Sequence, residues 1–141
     1  YGNLFLGKMV NRIMRDGKKS VAEKEVYGAL ELIKKHHENP LEVINEAIKN
    51  ISPQMEVRSR RIGGAAYQVP TMVRGNRKIS LALRWLIAEA QSRPNSEFHT
   101  FAEKLAAEIL DAHKGEGAAV KKKDTMHKMA EANRAFAHFR W

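Results

Sequence analysis

Cysteine is absent from this 141-residue sequence, which excludes disulfides and thiolate metal sites. Its apolar runs fall far short of the ~20 residues that span a bilayer, so no transmembrane segment is expected and the protein is read as soluble. A charged leader with an apolar core and a small-residue cleavage site is also missing, so export is unsupported. Tyr1 in place of an initiator Met is read as the sign of a chain that lacks its true start. Internal repeats and low-complexity tracts are absent as well, and a single domain accommodates the whole length. Acid is the other scarcity: 16 Asp and Glu face 25 Lys and Arg, leaving a formal charge of +9.

The location of that charge says more than its size. Lys8, Arg12, Arg15, Lys18 and Lys19 are opposed only by Asp16 between positions 8 and 19. Between Met55 and Lys78, the cations Arg58, Arg60, Arg61, Arg74, Arg77 and Lys78 are opposed only by Glu56. From position 121 onward Lys121, Lys122, Lys123, Lys128, Arg134 and Arg140 outnumber Asp124 and Glu131. The rest of the chain is therefore net negative. Segregation of this kind concentrates positive potential on chosen surfaces, where it attracts phosphates and releases their counterions. A surface charged only for solubility would intersperse its signs.

Apolar spacing predicts a mainly α fold of six helices around one core, with 43% hydrophobic residues to fill it. Leu6, Met9, Val10, Ile13 and Met14 form the inner face of a first helix whose outer face carries Lys8, Asn11, Arg12 and Arg15. Asp16-Gly17 ends it, and Ser20 or a neighbour opens a second helix with Ala22, Val26, Ala29, Leu30 and Ile33 inward. Asn39-Pro40 starts a third, closed by Pro53. Asn76 is the expected cap of a fourth, with Arg77 and Arg84 outside and Leu83 and Leu86 inside. A fifth follows Pro94, with Phe98 and Phe101 at its start, and runs to Gly115; a sixth is expected from about Lys121 to Asn133. Arg134 to Trp141 forms an aromatic, basic tail.

Between the third and fourth helices the pattern changes. Residues 55 to 74 read MEVRSRRIGGAAYQVPTMVR, two runs of β-branched and aromatic residues joined by Gly63-Gly64-Ala65-Ala66. That is the signature of a β-hairpin, with paired glycines for the backbone angles of a tight reversal. An ordinary hairpin could use arginines merely to blunt its edges, and exposed lysine runs are common in loops. The alternative is that Arg58, Arg60, Arg61 and Arg74 pair with phosphates in forked geometry while Tyr67 stacks on an unpaired base. Three basic clusters in one small domain favour a polyphosphate partner.

Signals for catalysis are poor. Gly17-Lys18-Lys19-Ser20 faintly resembles a phosphate-binding loop, but Arg12 stands where that motif needs its first Gly. The six histidines show no i, i+4 ligand pair, so no metal or cofactor is expected. Glu103 and Glu108 have lysine neighbours and read as surface ion pairs; Met9, Met14, Met126 and Met129 fall at core spacing. An RNA-processing enzyme therefore lacks a catalytic set. A DNA-architectural protein with a basic β-ribbon arm is the main alternative to RNA binding, with Pro70 as its one conceivable wedge.

In NRIMRDGKKS at positions 11 to 20, MEVRSRRIGGAAYQVP at 55 to 70, LALRWL at 81 to 86 and the closing AVKKKDTMHKMAEANRAFAHFRW, the sequence resembles the bacterial type of the small-subunit ribosomal protein seven family. The motifs occur in the same order and cover nearly the whole chain. The resemblance implies a six-helix body with a protruding hairpin, and primary binding to the head domain of small-subunit ribosomal RNA with nucleation of head assembly. It also implies a place at the exit site near transfer RNA and messenger RNA, beside ribosomal protein eleven of the small subunit, in the cytoplasm. Carried over by position, the ribosomal RNA contacts would come from the first basic stretch with Lys8, Asn11, Arg12, Arg15, Lys18 and Lys19, from the Arg58-Ser59-Arg60-Arg61 strand and from Arg77, Lys78 and Arg84, while the hairpin tip with Gly63 and Gly64 and the tail with Arg134 and Arg140 would be the exit-site elements. The basic clusters and the hairpin pattern add Tyr67, Gln68, Arg74, Lys121, Lys122 and Lys123 as candidate RNA-binding residues. Family members usually carry an arginine-rich extension ahead of the position of Tyr1, and the stretch from Pro94 to His99 is longer than expected for the family.

Overall fold

Asp16 and Gly17 both have positive φ, 54° and 71°, and this left-handed pair turns the chain out of its first helix. In the computed structural model, which describes residues 4–139, that helix is α1 (Leu4–Ile13) and it leads into α2 (Lys19–Lys34). α3 (Pro40–Ile51) follows, then the strands β1 (Met55–Ile62) and β2 (Ala65–Met72), and then α4 (Asn76–Gln91), α5 (Phe101–His113) and α6 (Ala118–Ala132). A 3-10 helix, Arg134–Phe139, ends the described chain. The six helices and the hairpin between the third and fourth are as the sequence predicts.

α5 lies at the centre, packed on α2, α3 and α4. Met9, Leu30, Ile44, Leu86, Leu105 and Ile109 are among the fully buried side chains of a single hydrophobic cluster fed by every helix. Each side chain of this size removed from water contributes roughly 1.5–3 kcal/mol, against the conformational entropy of the ordered chain. Gly28 allows α2 to meet α5 closely: a Cβ built there would stand 3.2 Å from that of Ala102. Asn39 accepts from the Glu42 N–H and caps α3 at 3.4 Å, with Pro40 in the first turn.

The hairpin is antiparallel, in register from Met55 opposite Met72 to Ile62 opposite Ala65. That register leaves Gly63 and Gly64 as a two-residue turn, with φ of 59° and 85°, the arrangement that follows the twist of paired strands. The base is anchored, with Glu56, Val69 and Pro70 buried, while Arg61 and Gly63 to Ala66 are exposed at the tip. α6 packs along β1, and the 3-10 helix lies against β2. The Gln54 N–H donates to His127 Nε2 at 3.0 Å, fixing the hairpin base to α6.

Several local expectations are corrected. Asn76 is the first residue of α4 rather than its cap; Gly75 precedes the helix, and no side chain caps it. α6 begins at Ala118 rather than at about Lys121, so the lysine run follows a first turn of Ala118, Ala119 and Val120. Gly117 makes the turn, and Ala119 and Val120 are buried. α5 begins only after Thr100, whose hydroxyl accepts from the Glu103 N–H at 3.2 Å, and Phe98 lies outside it beneath the Arg93 guanidinium. Met129, expected in the core, is 43% exposed because the short apolar stripe of α6 turns Ala130 inward instead.

Glu108 departs furthest from expectation. It is 1% exposed, accepts from Arg93 Nε and Nη2 at 2.9 and 2.7 Å on one oxygen, and accepts from the Ala119 N–H at 3.0 Å on the other. Arg93 also donates to Asp111 at 2.6 Å. Glu108 follows Leu105 by three residues and precedes Ile109 by one, on the inward side of α5. Neighbouring lysines gave it the look of a surface residue, but helical phase decides its position.

Candidate nucleic-acid interface

Every third or fourth residue of α4 on its outer side, Arg77, Ser80, Arg84, Ala88 and Gln91, falls on one stripe. α1 lies beside that stripe. Lys8, Asn11 and Arg12 of α1 with Asn76, Ser80 and Leu83 of α4 line an open groove of about 360 Å³, and an Arg12 N–H donates to the Ser80 hydroxyl across it. Arg15, Lys18 and Lys19 continue in the exposed turn after α1, Lys19 already within α2. The basic faces of α1 and α4 thus meet edge to edge, as neither helix could disclose alone.

The next link is the hairpin base. Glu56, 4% exposed, accepts from Arg77 Nε at 2.7 Å and Nη2 at 3.0 Å and from Arg58 Nε at 2.7 Å. Burial pushes the Glu56 carboxyl up, but hydrogen bonds from Arg77 and then Arg58, with their charges, outweigh it and hold the group below its ordinary 4.5. The Arg77 guanidinium is shifted up in turn, chiefly by its hydrogen bonds to Glu56. Both arginine side chains stay nearly half exposed, 47% for Arg58 and 43% for Arg77. The sequence reading missed Glu56, treating it only as one opposing charge. Its signal was its isolation among six cations.

Further out, Arg60 stands opposite Tyr67 and Arg61 opposite Ala66. Gln68 Nε2 donates to Ser59 Oγ at 2.8 Å across the strands, and Arg74 Nη2 lies 3.7 Å from the Met72 sulfur. Gly63 and Gly64 present bare backbone at the tip, with no atom near a built Cβ. Tyr67, expected as a stacking platform, already has an aromatic neighbour: its ring centroid is 5.2 Å from that of Phe136, with the planes tilted by 51°.

The lysines of α6 lie elsewhere. Lys122 reaches Glu89 of α4 at 3.6 Å, and at about 100° per residue Glu89 is roughly half a turn around α4 from Ser80. Lys123 is 3.9 Å from Asp124, and Lys121 is exposed. The first two basic clusters are therefore joined, whereas Lys122 of the third lies on the other flank of α4 and Arg134 lies beside Met55 and Pro70 at the hairpin base. Lys78 is half-buried on that same flank, four residues ahead of Ala82. Arg134 pairs with Glu131 at 3.1 Å, with both side chains largely exposed. Arg140, along with Trp141 and the side chains of His138 and Phe139, lies outside the described residues.

Among the described residues, no group of three or more His, Asp or Glu is placed to hold a metal ion, and no helix is long and apolar enough to cross a membrane. His113 is spent on Glu46, at 2.6 Å, and on an edge contact with His37 at 5.0 Å.

A family profile described as ribosomal protein S7p/S5e matches residues 1–134. The small ribosomal subunit protein uS7 of Geotalea uraniireducens is 55% identical over 142 aligned residues, covering 100% of this chain and 89% of the relative. The proteins of the same name from Alkalilimnicola ehrlichii and Thermodesulfovibrio yellowstonii are also 55% identical with the same coverage. These are ribosomal structural proteins and not enzymes. With a match across nearly all its residues, the chain belongs to the ribosomal protein S7p/S5e family.

Proposed function

We propose that the chain is a structural constituent of the small ribosomal subunit, in the cytoplasm, and binds the head domain of the subunit's ribosomal RNA as an early, assembly-nucleating protein. The observation that carries this reading is the continuous basic path from Lys8 and Arg12 on α1, across Ser80 and Arg77 on α4, to Arg58 at the hairpin base. A surface that spans a helix pair and a projecting ribbon suits a folded RNA junction. A-form grooves hide their base edges, so such a partner is recognised through shape and phosphates. The hairpin tip at Gly63 and Gly64 and the tail beyond Arg134 would face transfer RNA and messenger RNA at the exit site. Ribosomal protein eleven would be the protein neighbour.

The DNA-architectural alternative loses support, since Pro70 is buried at the hairpin base and the tip carries only Gly and Ala. A competition experiment tests the proposal: a folded head-domain ribosomal RNA fragment against duplex DNA of equal length at moderate salt. Clear preference for the RNA is expected; equal affinities would reject the ribosomal reading.

A further inference from the structure

We infer that Glu56 is a positioning residue for RNA binding, holding Arg58 and Arg77 as a paired clamp for one backbone phosphate at the junction of the hairpin and α4. The inference rests on the RNA-binding reading and assigns a role to an acidic residue within the most basic segment of the chain.

An ordinary view of Glu56 is that it weakens binding, because it subtracts a charge from a surface that attracts anions. Its geometry argues otherwise. Its Oε1 accepts from both arginines at once, Arg58 Nε at 2.7 Å and Arg77 Nη2 at 3.0 Å, so two guanidiniums from different elements are held against one oxygen. Without the carboxylate the two cations would repel and splay. Arg58 spends only its Nε–H here, and Arg77 its Nε–H and one Nη2 hydrogen. Of five N–H groups on each guanidinium, most remain for a ligand, and both heads reach solvent. Planar forks already fixed in place lose less entropy on meeting a phosphate than free surface arginines do. The carboxylate itself is buried, so it orients the donors without presenting its own charge at the surface.

The sign of one substitution tests this. Glu56→Gln raises the net charge by one from +9, so pure electrostatics predicts tighter binding and a steeper salt dependence. The clamp predicts that Glu56→Gln binds about tenfold more weakly in spite of the added charge, with Glu56→Asp recovering part of the loss. A second variant, Arg58→Lys with Arg77→Lys, keeps every charge and Glu56 but removes the forks, and about the same loss is expected. Adding Glu56→Gln to that lysine pair should cost little more. All variants are measured as full chains below their melting temperatures, against both the head-domain RNA fragment and inorganic polyphosphate. Tighter or unchanged binding by Glu56→Gln overturns the clamp, as does wild-type affinity in the lysine pair or an undiminished Glu56→Gln effect within it. The polyphosphate arm reads the clamp by itself, whereas failure of the wild type to prefer the RNA over duplex DNA rejects the ribosomal reading instead.

Discussion

The ring of Tyr67 on β2 lies 5.2 Å from that of Phe136 in the terminal 3-10 helix, so the tail is packed on the hairpin. Phe136→Ala should therefore loosen the strand and the tail together. A tilted aromatic pair is worth about 1 kcal/mol beyond its buried area. Amide exchange in β2 is expected to rise while amides in α3 and α5 stay protected. Unaltered exchange in β2 would show that the tail does not brace it.

Glu108 should be the least replaceable acid in the described chain. Glu108→Ala strands the Arg93 guanidinium with Asp111 alone and leaves the Ala119 N–H without its acceptor. Breaking a buried pair from one side costs about 3–5 kcal/mol. Urea unfolding should show that loss as a lower midpoint with an unchanged slope. A loss below about 1 kcal/mol would place Glu108 among ordinary surface pairs.

Acid should act on the hairpin base through Glu56. Its folded carboxyl is held below the ordinary 4.5, so its stabilising contribution is complete above 4.5 and is lost as pH falls through the lower, folded value. The difference in stability between wild type and Glu56→Gln is thus expected to be constant above pH 4.5 and to shrink below it. Thermal melts of the two proteins across that acid range provide the measurement. A difference independent of pH would mean the carboxylate is not coupled to its arginines.

Arg60→Ala with Arg61→Ala keeps both partners of Glu56, Arg58 and Arg77, and tests phosphate pairing by the outer part of β1. RNA affinity should fall, and the log–log salt dependence should flatten by roughly 0.7 to 0.9 for each phosphate that is no longer neutralised. An unchanged slope would mean that both guanidiniums contribute nothing to RNA binding.

Much of this architecture is legible from local pattern. The two periodicities, 3.6 and 2, separate helices from hairpin, and the paired glycines mark the reversal within Gly63-Gly64-Ala65-Ala66, although Ala65 and Ala66 belong to β2. The basic faces of α1 and α4 are each visible on their own helix. Their meeting at Arg12 and Ser80 is not, because it depends on two elements 68 residues apart in sequence. Glu56 and Glu108 escape notice for a related reason. A carboxylate reads as surface until its partners are known, and Arg77 and Arg93 come from other elements. The helix starts just after Thr100 and Gly117 are readable in principle: Thr100 precedes Glu103 by three residues, and Gly117 precedes an Ala-Ala-Val turn. The lysines after it drew the start of α6 too far along the chain.

The carboxylate of Glu108 grips Arg93, just past the end of α4, with one oxygen and the first turn of α6 with the other, and α6 in turn carries the hairpin base through His127. The bearing of the ribbon is thereby tied to how α6 is seated as well as to the grip of Arg77 on Glu56, like a boom held at its pivot. A small shift in the seat of α6 would swing the glycine tip through a larger arc, so a docking surface on RNA would meet a ribbon whose aim is set before contact.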